Sequence, residues 1–407
     1  MITSFVDQNL LFDNIRKSCS SIKACLIKVL ALQVDSGFTE LFEPIFNIIN
    51  NALGDDCDIF SIADPQQNDC CPDIISARHV EAGGILFIGD LCTTFHSNDL
   101  KVFHCPIPFK CEFSFVQDFA KFFISNSNAL KKSLIVILES NYRHIEVPLL
   151  ILLKDCKVSC FSSTDLTHAA LMSGMNYHED AQVAYVGRDV QSGLFHRMCL
   201  YFATQRIIHA EPMSSKIEFL GPFNKLLSKR LHLIEKCKNI STFGILMSPL
   251  LSNNLISEAA QNFAVSNHKS VHMFSIGKFS IQKLGNFPEV KAFLYLGCPN
   301  AAFDEKRFKD YSHLTILSPY EFYWAIKGTL EHWDGTFKDD CNLFNEKNFN
   351  TDVVSFGNCL DVAITNFTDK TFQGISKSVI GDRINETKGI LAGRSGIASE
   401  YLDESGK

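Results

Sequence analysis

The run AFLYLGC at residues 292–298 consists of five apolar residues, a glycine and the thiol of Cys298. A short apolar run that ends in glycine is typical of a strand buried on both faces of a parallel sheet. The run ILFIGDLC at residues 85–92 has the same form and ends in Cys92. Open α/β sheets bind ligands beyond the carboxyl ends of their strands. Both thiols therefore occupy positions where a binding site is expected.

Similar apolar runs occur six times along the chain, in three pairs. They lie at residues 26–32 and 85–89, 134–138 and 183–187, and 243–247 and 293–297. Val29, Val136 and Ile245, one in each first run, are 107 and 109 residues apart. Helical segments lie between the runs, which favours parallel sheets. Repetition at this spacing predicts three copies of one α/β unit.

The predicted fold class is α/β, with three similar parallel-sheet domains. We divide the chain into an N-terminal extension (1–24), domain 1 (25–128), domain 2 (129–238), domain 3 (239–335) and a C-terminal extension with an extended tail (336–407). The last interval has few long apolar runs and many Asn and Asp residues, which is why it is set apart from the domains.

Composition narrows the class of protein. The 407 residues suggest two or three domains, and 46% hydrophobic with 20% charged residues is typical of a soluble globular protein. A net charge of −7 gives no general reason to bind nucleic acid. No run reaches 18 uninterrupted apolar residues, and the N-terminus lacks the pattern of a secretory signal. We therefore expect a cytoplasmic protein with neither a membrane nor a nucleic acid as partner.

The cysteines favour a metal or iron–sulfur site over disulfides. Fifteen cysteines in a cytosolic chain are expected to be reduced thiols, and an odd count argues against a closed disulfide framework. Cys71, Cys92 and Cys298 are the candidate ligands, with Cys70 as the alternative to Cys71. No Cys-x-x-Cys pair is present, which argues against a common zinc site.

Other polar and thiol residues are interpreted as structural. Cys156 and Cys160 form a loose pair that we assign to core packing. His79, His96 and His104 flank the first cysteine region without a clear role in chemistry. Asp64 and Asp90 could orient loop amides. Glycine-rich phosphate-binding loops are absent from the sequence, so it gives no support for a nucleotide site.

Several motifs resemble the diphthamide synthase family. They are CCPDIISARHVEA (70–82) followed by Cys92, LGCP (296–299), ILSPYE (316–321), TFQG (371–374) and GRSGIASEY (393–401). The resemblance spans roughly residues 25–401. The two tail motifs resemble the family's second subunit rather than its catalytic sibling.

The resemblance implies three α/β domains in a pseudo-threefold arrangement around a central [4Fe-4S] cluster. It also implies the first step of diphthamide biosynthesis, in which S-adenosylmethionine gives a 3-amino-3-carboxypropyl group to a histidine of elongation factor 2. In the catalytic pattern each domain supplies one cysteine. Here the matching second-domain stretch, residues 162–174, has no cysteine, and residues 63–67 differ from the family's usual first loop.

These departures predict a non-catalytic subunit whose cluster is held by Cys71, Cys92 and Cys298, with Cys70 in place of Cys71 as the alternative. It would keep the cluster of a catalytic sibling subunit reduced, with electrons from a small iron-binding donor protein and its reductase. Elongation factor 2 would be the substrate of the complex. Two alternatives stay open: a structural partner with a vestigial metal site, and a self-sufficient radical transferase.

Overall fold

The structure is a computed structural model of the 407-residue chain. It describes residues 2–65, 70–92, 100–126, 133–162, 181–188, 190, 192–247, 254–277, 281–298, 300–303, 314–327 and 344.

The described residues form three sheets covered by helices. The strands are β1 (Val29–Val34), β2 (Asp58–Ser61), β3 (Gly84–Ile88), β4 (Lys101–Cys105), β5 (Ser133–Leu138), β6 (Lys157–Ser162), β7 (Gln182–Val186), β8 (Ile207–Glu211), β9 (Lys216–Leu220), β10 (Thr242–Met247), β11 (Ser270–Ser275), β12 (Ala292–Leu296) and β13 (Thr315–Leu317). The α-helices are α1 (Gln8–Ala24), α2 (Phe42–Leu53), α3 (Ile74–His79), α4 (Phe113–Asn126), α5 (Glu146–Leu152), α6 (Gly193–Tyr201), α7 (Asn224–Lys238), α8 (Asn254–Ser266), α9 (Ile281–Leu284) and α10 (Pro319–Lys327). Short 3₁₀ helices lie at Ile2–Phe5, Ser36–Leu41, Gly54–Asp56, Ser140–Ile145 and Ala301–Phe303.

The first sheet has the order β2-β1-β3-β4, and all its strand pairs are parallel. All five residues of β3 are buried, because both faces of the sheet are covered. Leu86 belongs to the apolar cluster that includes α1 and α2, whereas Ile85 packs in a smaller cluster with Ile74 and Ala77 of α3. The alternation follows from side chains that point to opposite faces along a strand.

The other two sheets repeat this order. In the second sheet β6-β5-β7-β8 are parallel neighbours, and in the third the order is β11-β10-β12-β13. In each sheet the first strand in sequence lies between the second and the third. The carboxyl ends of the first and third strands are therefore the place where connections diverge to opposite sides and ligands are expected.

Two details differ from the sequence prediction. The second sheet is mixed, because β8 and β9 form an antiparallel pair in which Ile207 lies opposite Leu220. The first strand begins at Val29 rather than at residue 26. Leu26 is exposed and has a φ of 56°, in the left-handed region that strands do not use.

The α/β class with three sheets built on a parallel order is confirmed. The domain boundaries stay a prediction. The predicted C-terminal extension and tail lie outside the described residues except for Phe344, whose ring packs near Phe263 and Phe322 in the core of the third sheet. Among the described residues, no helix combines the length and apolar character needed to span a membrane.

Candidate metal centre

The first two thiols lie on a turn between β2 and α3. Asp73 caps α3, because its carboxylate accepts hydrogen bonds from the amide and the hydroxyl of Ser76 at 3.0 and 2.7 Å. Gln33 on β1 binds the backbone of this turn through its side chain. Its side chain donates to the Cys71 carbonyl at 3.1 Å and accepts from the Asp73 amide at 2.7 Å. The position of Cys71 is therefore set by the adjacent strand as well as by its own loop.

Cys92 and Cys298 follow the third strands of the first and third sheets. The amide of Cys92 donates to the carbonyl of Cys70 at 3.0 Å, which ties the two cysteine segments of domain 1 together. Cys298 comes directly after Gly297 at the end of β12. The amide of Ala301 donates to its carbonyl at 3.0 Å, so the chain turns into a short 3₁₀ helix just beyond the thiol.

The four sulfur atoms form one compact group. The Sγ atom of Cys70 lies 3.3 Å from that of Cys298 and 3.9 Å from that of Cys71, and the Sγ atom of Cys71 lies 3.3 Å from that of Cys92. All four sulfur atoms lie within 4.8 Å of one another. Cys71, Cys92 and Cys298 are buried, whereas Cys70 keeps partial exposure. The group connects the loops of the first sheet to the loop after β12 of the third sheet.

The electrostatics of the group favour a cation. Hydrogen bonding from Cys70 holds the pKa of Cys298 well below its ordinary value. Hydrogen bonding with Cys298 raises the pKa of Cys70, and likewise that of Cys71, well above the ordinary value of a thiol. Once one proton has left, further ionisation would gather like charges in an apolar interior. A bound metal removes this penalty, and soft thiolates suit zinc and iron–sulfur clusters. The donor set therefore fits a thiolate-bound metal centre, and the iron–sulfur group that the sequence predicts is one such centre.

The structure brings all the candidate ligands together. Cys70 was considered as a substitute for Cys71, but both thiols belong to the group. Their role as ligands stays a prediction. Gln33 was not recognised from the sequence. A signal was present, since Gln33 is the only polar residue in the strand VLALQV and a buried polar side chain needs partners.

The thiols assigned to packing have apolar surroundings. Cys156 and Cys160 are partly buried against the large cluster around the first two sheets, and burial raises the pKa of Cys160 to about 12. Residues 163–180, which include most of the altered second-domain loop, lie outside the described residues. His104 has a structural contact, since its Nε2 lies 2.9 Å from the Gly89 carbonyl oxygen. Asp90 accepts the Ser140 hydroxyl at 2.5 Å.

Comparisons with known proteins agree with this picture. The model of the family "Putative diphthamide synthesis protein" matches residues 37–338. Among curated proteins, 2-(3-amino-3-carboxypropyl)histidine synthase subunit 2 of Schizosaccharomyces pombe is 22% identical over 342 residues, covering 79% of this chain and 66% of the relative. The Danio rerio protein of the same name is 24% identical over 310 residues, covering 69% and 61%. The chain thus spans about two thirds or less of the length of these relatives.

Solved structures share the fold. Two crystal structures of Dph2 from Pyrococcus horikoshii match with TM-scores of 0.58 and 0.59 at 14% identity, and the second is described as containing a 4Fe-4S cluster. They cover 80% of this chain and 92% and 93% of their own chains. At this identity the likeness shows the fold alone, while the family model spans most of the sequence. The chain therefore belongs to the diphthamide synthesis protein family.

Proposed function

We propose that the chain is the iron–sulfur subunit of a two-subunit synthase for the first step of diphthamide biosynthesis. In that step a 3-amino-3-carboxypropyl group passes from S-adenosylmethionine to a histidine of elongation factor 2. The chain keeps the cluster of its catalytic sibling reduced and performs no radical chemistry itself. The relatives' shared name, subunit 2 of a histidine synthase, supports its place in a complex.

The observation that carries this proposal is the four-thiol group of Cys70, Cys71, Cys92 and Cys298. A [4Fe-4S] cluster has four irons, and four cysteine thiolates suffice to ligate all of them. Such a cluster leaves no iron open to S-adenosylmethionine. Its chemistry is the transfer of single electrons, at potentials that proteins tune between roughly −700 and +450 mV. Full thiolate ligation therefore favours a relay over a catalyst.

The residues of the chain have separate tasks in this relay. Cys71, Cys92 and Cys298 hold the cluster away from water, and their apolar neighbours limit oxidation. Cys70 is the partly exposed member of the group, so a cluster held by the four thiols would lie nearest to solvent on its side. The electrons come from a small iron-binding donor protein and its reductase, and they pass to the sibling subunit.

Anaerobic purification tests the proposal. The chain is expected to be brown and to contain iron and acid-labile sulfide in equal amounts, close to four of each. Single Cys→Ser variants at the four positions should each lower the iron content. Cys199→Ser is the matched control, because Cys199 is buried in the same apolar cluster but lies outside the thiol group. Full iron content in the variant at Cys298 would show that the metal lies elsewhere.

A structural zinc site is the second candidate. Zinc–sulfur bonds of about 2.3 Å in a tetrahedron place sulfur atoms about 3.8 Å apart. Three of the sulfur–sulfur distances, 3.3, 3.3 and 3.9 Å, are close to that value. One equivalent of zinc and no sulfide in the anaerobic protein would establish this role, which corresponds to the structural partner.

An activity assay distinguishes the proposed helper role from that of a self-sufficient transferase. The isolated, reduced chain should not cleave S-adenosylmethionine, whereas the chain with its sibling subunit should modify elongation factor 2 through many turnovers. Removing the metal from this chain alone should then stop turnover while a chemical reductant restores it. Cleavage by the isolated chain would overturn the helper role.

A further inference from the structure

Domain 2 supplies none of the four grouped thiols, yet its helix α6 lies against the segment that follows Cys298. Gly193, the first residue of α6, approaches the backbone of Asn300 so closely that an added Cβ would lie 1.8 Å from the Asn300 carbonyl oxygen. Only glycine allows this approach. The helix and the Cys298 segment are therefore fitted to each other at the level of the backbone.

A buried arginine fixes the contact. Arg197 on α6 is 1% exposed, and its Nη1 donates to Oδ1 of Asn300 at 2.9 Å. Its Nε donates to the Tyr201 hydroxyl at 3.2 Å. Arginine stays protonated in proteins, so this guanidinium places a permanent positive charge against Asn300, which is two residues after Cys298. Burial of a charge is costly unless the charge is hydrogen-bonded, and Asn300 and Tyr201 supply such hydrogen bonds.

Two further contacts complete the support of the segment. Nδ1 of His196 lies 3.1 Å from the carbonyl oxygen of Phe303. On the other side of Phe303, the guanidinium of Arg230 lies 4.9 Å from the ring centroid. The apolar side chains of α6 also belong to the cluster that contains the grouped thiols. Residues 300–303 thus contact both α6 and α7, and this supported segment follows Cys298 closely in sequence.

We propose that Arg197 is a positioning residue of the metal centre, which holds the Cys298 segment through Asn300 and raises the reduction potential of the cluster by its charge. This inference rests on the proposed function. Reduction adds a negative charge to a buried group, and a fixed positive charge nearby stabilises the reduced form because the interior screens it weakly. Hydrogen bonding through Asn300 acts separately, by keeping the Cys298 thiolate in place.

Four variants distinguish the positioning of the Cys298 segment from the effect of the Arg197 charge on the reduction potential. Arg197→Met removes both, and should speed iron loss to a chelator by about 10-fold or more and lower the potential. Arg197→Lys keeps the charge but loses the fork-shaped donor, so iron loss should speed up with little change in potential. Asn300→Asp keeps an acceptor for Arg197 and adds a negative charge, so the potential should fall while iron is retained. Asn300→Leu removes the acceptor and should speed iron loss.

The control is Arg206→Met, because Arg206 is exposed and its guanidinium stacks on Phe219 at 5.2 Å, away from the Cys298 segment. Potentials are measured by EPR-monitored titration and folding by thermal denaturation of the metal-free chains. A role in folding alone would lower the melting temperature and leave the potential unchanged. Equal potential and equal iron retention in Arg197→Met and Arg206→Met would overturn the inference. Should Arg197→Met not fold, an unchanged potential in Asn300→Asp overturns it.

The proposed function fails separately, if the wild-type chain holds no iron. In that case, the alkylation rate of Cys298 in the metal-free chain tests whether Arg197 positions the Cys298 segment. Faster alkylation in Arg197→Met than in Arg206→Met supports the positioning role, and equal rates overturn it.

Discussion

Replacement of Gly193 by alanine tests how tightly domain 2 holds the Cys298 segment. The new methyl group would lie 1.8 Å from the carbonyl oxygen of Asn300, and ordinary contacts begin at 3.4 Å. Helix and segment must therefore separate by about 1.6 Å. Such a shift breaks the 2.9 Å hydrogen bond from Arg197 to Asn300 and the 3.1 Å contact between His196 and Phe303.

The expected cost follows from these losses. Overpacking typically costs about 1–3 kcal/mol. A hydrogen bond to a charged group contributes about 1.5–3 kcal/mol, and here the Arg197 guanidinium loses a partner in a buried place. We expect the docking of the segment to weaken by about 3–5 kcal/mol. Every 1.4 kcal/mol is a factor of ten, so local opening should become at least about 100-fold more frequent.

Alkylation of Cys298 in the metal-free chain measures this opening. The rate, followed by mass spectrometry of the peptide that contains Cys298, should rise by about that factor in Gly193→Ala. Gly83→Ala is the matched control, because an added Cβ there lies 3.5 Å from the nearest atom, on Ile27, and meets only ordinary contacts. Equal alkylation rates in the two variants would refute the claim that α6 holds the segment.

Three further predictions concern stability. Glu321→Ala leaves the charge of Arg230 without the buried carboxylate that now binds it through two contacts of 2.5 Å, and should lower the free energy of unfolding by about 3–5 kcal/mol in a denaturant titration. Tyr185→Phe removes a 2.6 Å hydrogen bond to the Glu139 carboxylate and should cost about 1–3 kcal/mol in the same assay. Burial lowers the pKa of His104 and His209, so folding favours their neutral forms; the stability is present above pH 6.5 and is lost as the pH falls through the lowered values, which a melting series from pH 7.5 to 5 should show.

Each prediction has a control within the chain. Glu235→Ala removes an exposed ion pair and should change stability by less than about 1 kcal/mol. Tyr142→Phe should be close to neutral, because the buried Tyr142 hydroxyl has no hydrogen-bond partner among the described residues. The double variant His104→Gln/His209→Gln should flatten the acid dependence, and His272→Gln, at an exposed position, should leave it intact. Parallel behaviour of a variant and its control would contradict the corresponding reasoning.

The fold could be predicted where the sequence repeats itself. The buried strands β3, β5, β7 and β10 begin within one residue of the predicted runs, and β12 begins at Ala292 as the run 292–298 predicts. Continuous apolar residues over strand length leave few alternatives. The sequence prediction lacks the β8–β9 pair, although the alternation of polar and apolar residues in KIEFL at 216–220 is the pattern of a half-exposed strand. Leu26 was assigned to the first strand because an apolar residue gives no sign in the sequence that its backbone is left-handed.

The site was predictable only in part. The cysteines could be named because each follows a strand or an unusual double thiol. Whether Cys70 or Cys71 faces the site was not decidable, since adjacent side chains on a turn can point in any direction, and in the structure both sulfur atoms converge. Arg197 was invisible because in GLFHRMCLY it resembles an ordinary surface residue of a helix; its burial arises from contact with a segment about 100 residues away.

The distribution of the thiols bears on what the centre can do. The loops of the first sheet supply three of the grouped sulfur atoms and the loop after β12 supplies one, so a metal held by all four would join the first and third sheets, while α6 supports the loop after β12. A substrate would need access and an open coordination position at this centre. The four-thiol group offers neither among the described residues, because three of its sulfur atoms are buried and all four face one another. The proposed electron relay would need only one exposed edge, and Cys70 is the partly exposed residue of the group. The burial of three of the four thiols thus agrees with the proposed relay, in which the centre would pass electrons without binding the reactant.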